Sequence, residues 1–406
     1  MSRTPGRSPG AVALAGVYGL LLLSALRPGV AQDFLPSYVA AQSVASGRVD
    51  AVYLSPDARH LFDSPPAFVE ASIAAGGEAV SPENVTAFVA PPTSLLPVLP
   101  LALLPYPVAE SLWSLGLAVL AIASLQKLLR RRDGPLAERS GTLWALGTLG
   151  AAPILWYAVD LGQSAVLLLG AAAFFEPDRS RPRIGFCALL ASAVVFKAFP
   201  VLLLGFLWLM GRRSEVAWTV AFGAAWTALA AVLLPVELLP AFLDGLGAVS
   251  GGVVTVWNNL SLDAFALRLE TGVATAWFRD LTLPARLATG AVKGVILLLA
   301  GLIAAGRTGA APTRRWAAAW AATLTLSPLL WAHYLVVLPA LLGERTPREA
   351  RLRAVLLAAS GLWLLLELSG LASAATVGNL GSVLWLVIAG ALLLPGLHRI
   401  EASAGA

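Results

Sequence analysis

Residues 11–34 read AVALAGVYGLLLLSALRPGVAQDF: an apolar run from Ala11 to Leu26, a small-residue exit at Val30 and Ala31, then Asp33, the first acidic residue of the chain. A bilayer core of about 30 Å is crossed by about 20 apolar residues of helix, so 11–30 reads as a first membrane span. Arg3 and Arg7 precede it, and cytoplasmic flanks carry the basic excess. The N-terminus is therefore expected in the cytoplasm and Asp33 outside. The same stretch has the layout of a cleaved signal peptide, and under that reading too Asp33 lies on the outer side.

The rest of the chain fits a membrane setting. Of its 406 residues, 58% are hydrophobic and only 13% charged, with a mean hydropathy of +0.78. Soluble domains carry about 25% charged residues, so a soluble fold is excluded. The net charge of +5 does not indicate nucleic acid, because the basic residues form short clusters between apolar runs, as cytoplasmic loops do. The single cysteine, Cys187, lies within an apolar run, which leaves no disulfide framework and no cysteine metal site.

Hydropathy predicts an all-α polytopic membrane protein, one integral domain over 1–406, with about 12 transmembrane helices (10–13). The spans are expected at 11–30, 108–128, 141–158, 163–176, 183–196, 198–211, 215–235, 286–306, 314–330, 332–343, 351–369 and 380–397. On this path the inward segments hold most of the 28 basic residues, with clusters at Arg130 to Arg132, Arg179 to Arg183, Arg212 to Arg213 and Arg314 to Arg315. The even count returns the C-terminus to the cytoplasm. Two outer connections are long: 32–107, with short amphipathic pieces such as Pro36 to Ser46 and a proline-rich end, and 236–286. Connections longer than about 15 residues are usually functional or disordered.

Polar residues then recur at the outer ends of the spans. These are Asp33; Asp160, Gly162 and Gln163; Lys197; Asn258, Asn259 and Ser261; and Ser327-Pro328 followed by Trp331-Ala332-His333-Tyr334. Ionisable groups in a membrane protein are costly and usually mark function. Five separate turns on one side point to one site.

On these residues the chain resembles glycosyltransferase family 87, the polyprenyl-phosphate-mannose-dependent mannosyltransferases of the GT-C fold. Asp33-Phe34 with Gly47 and Tyr53 is similar to the family's opening, and Pro91-Pro92 through Leu104-Pro105, with Trp113 beyond, to its proline-rich approach to the second span. Gly162-Gln163 resembles its G-Q turn and Lys197 to Pro200 its K-P-x-P. Asn259-Leu260-Ser261 with Arg268 resembles its N-x-S followed by Arg, and Ser327-Pro328 to His333 its S-P-x-x-W-x-H. Two positions depart: Ala198 stands where proline is usual, and Ala332 where an acidic residue is expected. The resemblance implies a GT-C-like fold, a polyprenyl-phosphate sugar donor, a lipid or glycan acceptor, inversion at the anomeric carbon, and work at the outer face of the inner (plasma) membrane.

The residue chemistry is compatible with this. A sugar leaving a polyprenyl phosphate needs no acid for its leaving group; it needs a base for the acceptor hydroxyl and cations or donors for the phosphate charge. Asp33 is the candidate base; as a bland alternative it caps the helix entering at Leu35. Lys197 is the candidate phosphate partner or else a snorkelling lysine. His333, grouped with Asp33 as catalytic, either binds phosphate or orients Asp33. Gln163, Asn258 and Asn259 suit sugar hydroxyls but are also common helix caps, and Ser261 and Arg268 join the substrate-binding set. His60 and His398 read as solvated. No metal or cofactor is called for: Asp50, Asp57 and Asp63 match no calcium loop, and no Gly-rich phosphate cradle is present. A secondary transporter or flippase is the rival class, disfavoured because no repeated halves are evident and the interior of the spans is nearly free of charge.

Overall fold

The computed structural model describes residues 9–27, 31–49, 52–130, 135–177, 181–250, 252–341 and 347–393. Arg3, Arg7, Val30, Asp50, Arg131, Arg132, Arg179 and His398 lie outside the described residues. Among the described residues the structure is helical, with three isolated β-bridges and no strands.

Helix α1 (Pro9–Leu26) leads into a connection holding α2 (Leu35–Ala45), α3 (Pro66–Gly76) and four short 3-10 turns. Then come α4 (Tyr106–Arg130), α5 (Pro135–Asp160), α6 (Val166–Phe174), α7 (Ile184–Lys197), α8 (Leu202–Leu209) and α9 (Arg213–Leu233). The second long connection contains α10 (Leu238–Ser250) and α11 (Leu262–Thr271). The chain continues through α12 (Leu283–Ala304), α13 (Pro312–Leu326), a 3-10 stretch Ala332–Val337 running into α14 (Leu338–Leu341), α15 (Pro347–Leu368) and α16 (Ala374–Leu393).

Where it is described, each expected span falls on helix, but among the described residues only four helices, α4, α9, α12 and α16, are long and apolar enough to cross a membrane by themselves. Several others are short for identifiable reasons. Helix α6 starts late because Gly162 turns the chain at φ +70° and the Gln163 N–H bonds back to the Ala158 carbonyl. Helix α7 stops at Ala198, whose φ of +55° breaks the helical path.

The core is built around α5, which packs on α1 and α15. At the α5–α15 crossing glycine is required: a methyl group on Gly150 would come within 2.6 Å of the Ala358 Cα. Small residues let membrane helices approach closely, and α13 uses the same device, burying Ala317, Ala318, Ala319, Ala321 and Ala322 around Trp316 and Trp320. The first long connection has a core of its own, in which Phe34, Tyr38, Phe68, Phe88, Leu95 and Tyr106 pack together and against the C-terminal end of α9.

The two ends of the bundle differ in chemistry. At one end Lys127 and Arg183 pair with Glu176 at 2.5 and 2.7 Å, and Arg212 bonds Glu215 and the Pro177 carbonyl. This end joins the termini of α4, α6, α7 and α9 that were expected inside. The opposite end carries both long connections, which clasp each other: the Leu61 N–H bonds the Ala276 carbonyl, the Phe278 N–H bonds that of Arg59, and His60 rests edge-on against Trp277. His60 was expected to be solvated. It is instead half-buried, its Nδ1 accepting the Phe62 N–H at 3.1 Å.

Candidate functional site

Asp33 sits in the turn between α1 and α2 and does not cap the helix that follows. The capping position is Phe34, with no side-chain cap bond, so the Asp33 carboxylate is free for other partners. Its backbone is stapled to the next turn along the rim, the Asp33 N–H donating to the Leu161 carbonyl at 3.0 Å. Glycine is needed at 162 for that approach, because its positive φ carries the chain past Phe34 and Ala31.

This brings Gln163 beside Asp33. The Gln163 amide stands close enough to the Asp33 carboxylate to pull its pKa down, and its Oε1 accepts from the Lys197 Nζ at 3.0 Å. A carboxylate, an amide and a cation from three separate turns thus stand together. Burial pushes the Asp33 carboxyl up from its ordinary range, while the Gln163 bond and the Lys197 charge pull it partly back.

Lys197 also lies over the Tyr334 ring, 5.5 Å from its centroid, and Tyr334 meets His333 edge-on at 4.9 Å. His333 is 3% exposed, and neither ring nitrogen has a hydrogen-bond partner. Buried polar atoms are nearly always paired. An imidazole with two orphaned nitrogens, within electrostatic range of Lys197, is suited to a ligand atom. Tyr157 lies within reach of the Asp33 charge and beside the Asn258 side chain. The strand-like segment before α11 is held to the His333 turn, the Ala332 N–H donating to the Asn258 carbonyl at 2.7 Å. That bond needs no side chain at 332, where the acidic residue was expected.

The remaining predicted site residues are engaged internally. Asn259 is fully buried, its Nδ2 bonded to the Val254 carbonyl and its Oδ1 accepting the Ser261 N–H. Ser261 caps α11 by accepting the Ala264 N–H. Arg268, 1% exposed, donates to the carbonyls of Thr255, Val256, Asn259 and Gly378 and to Asn379 and Ser382 on α16. All three, expected from the sequence to bind substrate, are bonded within the protein. Tyr334 entered the sequence reading only as part of the Trp331–Tyr334 string, and Tyr157, three residues before Asp160, was not singled out; a hydroxyl near a span end was the available signal.

A helical membrane protein with a carboxylate, an amide and a lysine gathered at one rim is the class that fold and site define. The chain belongs to glycosyltransferase family 87: residues 88–330 match the model of that family, so it is a membrane glycosyltransferase. No curated protein and no solved structure matches it.

Proposed function

We propose that the protein moves a hexose, mannose being the first choice, from a polyprenyl phosphate to a hydroxyl of a lipid or glycan acceptor, with inversion at the anomeric carbon. The observation that carries this reading is the Asp33–Gln163–Lys197 cluster with the unpartnered His333 nitrogens beside it. Asp33 takes the proton of the acceptor hydroxyl as its oxygen bonds to the anomeric carbon. The bond from that carbon to the phosphate oxygen breaks on the opposite face, and the electron pair leaves with the polyprenyl phosphate.

Lys197 and His333 meet the phosphate charge as it grows, the kind of preorganised stabilisation that carries much of enzymatic catalysis. Gln163 spaces base from cation and keeps them from collapsing into a direct ion pair. Asn258 and Tyr157 face the sugars. Asn259, Ser261 and Arg268 shape the wall that holds Asn258. The basic cluster of Lys127, Arg183 and Arg212 at the far end supports a cytoplasmic placement for that end and an extracytoplasmic one for the site.

The test is transfer of label from polyprenyl-phosphate mannose in membranes carrying the protein. Label is expected in a lipid or glycan fraction and is expected to vanish in Asp33→Asn. Undiminished transfer by Asp33→Asn would remove Asp33 from its role, and transfer from a nucleotide sugar alone would overturn the donor class.

A further inference from the structure

Glu110 is a buried carboxylate that the reaction above does not use. It lies in the second turn of α4, 8% exposed, and among the described residues no cation pairs with it. Carboxylates are almost never buried without a partner, so its one bond is informative: Oε1 accepts the Ala31 N–H at 2.9 Å. Four residues earlier on the same helix, the Tyr106 hydroxyl reaches the Ala31 carbonyl at 3.4 Å. Three residues later, Trp113 stacks on Phe34 at 5.3 Å between ring centroids and donates its Nε1 to the Gly162 carbonyl at 2.8 Å.

Positions 106, 110 and 113 share one helix face, since residues three and four apart stand one above the other. That face grips both turns of the site at once, Ala31 and Phe34 on either side of Asp33, and Gly162 next to Gln163. Among the described residues, Glu110 holds the one N–H that ties the exit of α1 to α4.

We propose that Glu110 is a positioning residue for Asp33: as a hydrogen-bond acceptor for Ala31 it fixes where the carboxylate points relative to Gln163 and Lys197. The inference rests on the reading of Asp33 as the base. Misplacing a catalytic group by about 1 Å costs about 10²-fold in rate, and that is the loss expected when this acceptor is withdrawn.

The experiment uses purified full-length protein in native membrane lipids, with labelled polyprenyl-phosphate mannose as donor and the membrane fraction as the acceptor source. Glu110→Ala is expected to lower kcat by about 10²-fold with donor KM within about twofold, while Glu110→Gln, which keeps an oxygen at the same reach, stays within about threefold of the parent. Glu110→Asp keeps the charge but draws the oxygen back; a folded, slow Glu110→Asp supports the proposal even where Glu110→Ala fails to fold. Parental kcat in Glu110→Asp, or Glu110→Gln as slow as Glu110→Ala, overturns it. Asp33→Asn is measured alongside: if it is inactive while the Glu110 variants turn over normally, only the positioning role falls, and if it is active, the reading of Asp33 falls with it.

Discussion

Gly162 lies so close to Phe34 that a methyl group on its Cα would come to 2.7 Å from the Phe34 Cβ and 3.1 Å from that of Ala31. Its φ of +70° adds a second demand that only glycine meets without strain. Gly162→Ala is therefore expected to push the Asp33 and Gln163 turns apart. The expected cost is on the order of 1–3 kcal/mol in stability and at least about tenfold in transfer rate, read by thermal unfolding in detergent and by the label assay. Unchanged activity would mean that the two turns work independently.

The acid side of the rate–pH profile should report Asp33. As the proposed base Asp33 works ionised, and burial holds its carboxyl above the usual range, so activity is expected to fall on acidification with a midpoint above the ordinary carboxylate value of about 3.9. Lys197 pulls that carboxyl down. In Lys197→Gln the residual activity should accordingly lose its acid limb at higher pH than the parent; a midpoint moved the other way would contradict the arrangement.

Asp33 should also weaken the fold at neutral pH. Its folded-state pKa is raised, so the folded protein binds this proton more tightly than the unfolded chain does. Stability from this group is greatest below the unfolded pKa and falls as pH rises through the folded value. Asp33→Asn is expected to unfold at an equal or higher temperature than the parent at pH 7, the gap narrowing toward about pH 4. Loss of stability in Asp33→Asn would show the carboxylate to be a structural group.

Ala198 is the one non-glycine residue with positive φ among those described, at φ +55° and ψ −54°, close to the strained γ-turn. Proline cannot adopt this angle, since its ring locks φ near about −65°. Ala198→Gly is expected to keep activity and gain up to about 1 kcal/mol by relieving strain, whereas Ala198→Pro should swing Lys197 out of line and cut transfer by about 10²-fold. An active Ala198→Pro protein would show that the turn has a second conformation.

Arg268 joins the segment before α11 to α16 through six acceptors, and Gly378 leaves room for its guanidinium, a Cβ there meeting the Arg268 Cζ at 2.9 Å. Arg268→Met strands several buried carbonyls and is expected to cost about 3–5 kcal/mol. A lysine ammonium lacks the planar fork of the guanidinium, so Arg268→Lys should recover little. The readout is folded yield and unfolding temperature; a stable Arg268→Met protein with weakened donor binding would return this residue to the substrate.

Hydropathy located the helical segments because a membrane demands apolar length wherever the chain crosses it, and Asp33, Gln163, Lys197 and His333 stood out because polar groups at span ends are conspicuous. The matched family segment, 88–330, contains neither Asp33 nor His333; the fold carries both to Gln163 and Lys197. What the sequence concealed was direction. Asn259, Ser261 and Arg268 sit in a motif-like string, and nothing in the string tells whether a side chain meets substrate or closes backbone bonds. Glu110 was hidden for the opposite reason, falling two residues inside the expected span 108–128, where a lone carboxylate has no pattern to announce its partner.

Helices α7 and α9 both rise from the Arg183 and Arg212 end, but α7 has 14 residues and α9 has 21, so at 1.5 Å per residue Lys197 stops about 10 Å short of the α9 tip. On the proposed reading, a sugar phosphate tethered to a long isoprenoid would meet its cation while its tail remained dissolved in the acyl layer. Water would then have little claim on the bond being broken, and the enzyme would be spared the work of hauling its donor out of the lipid.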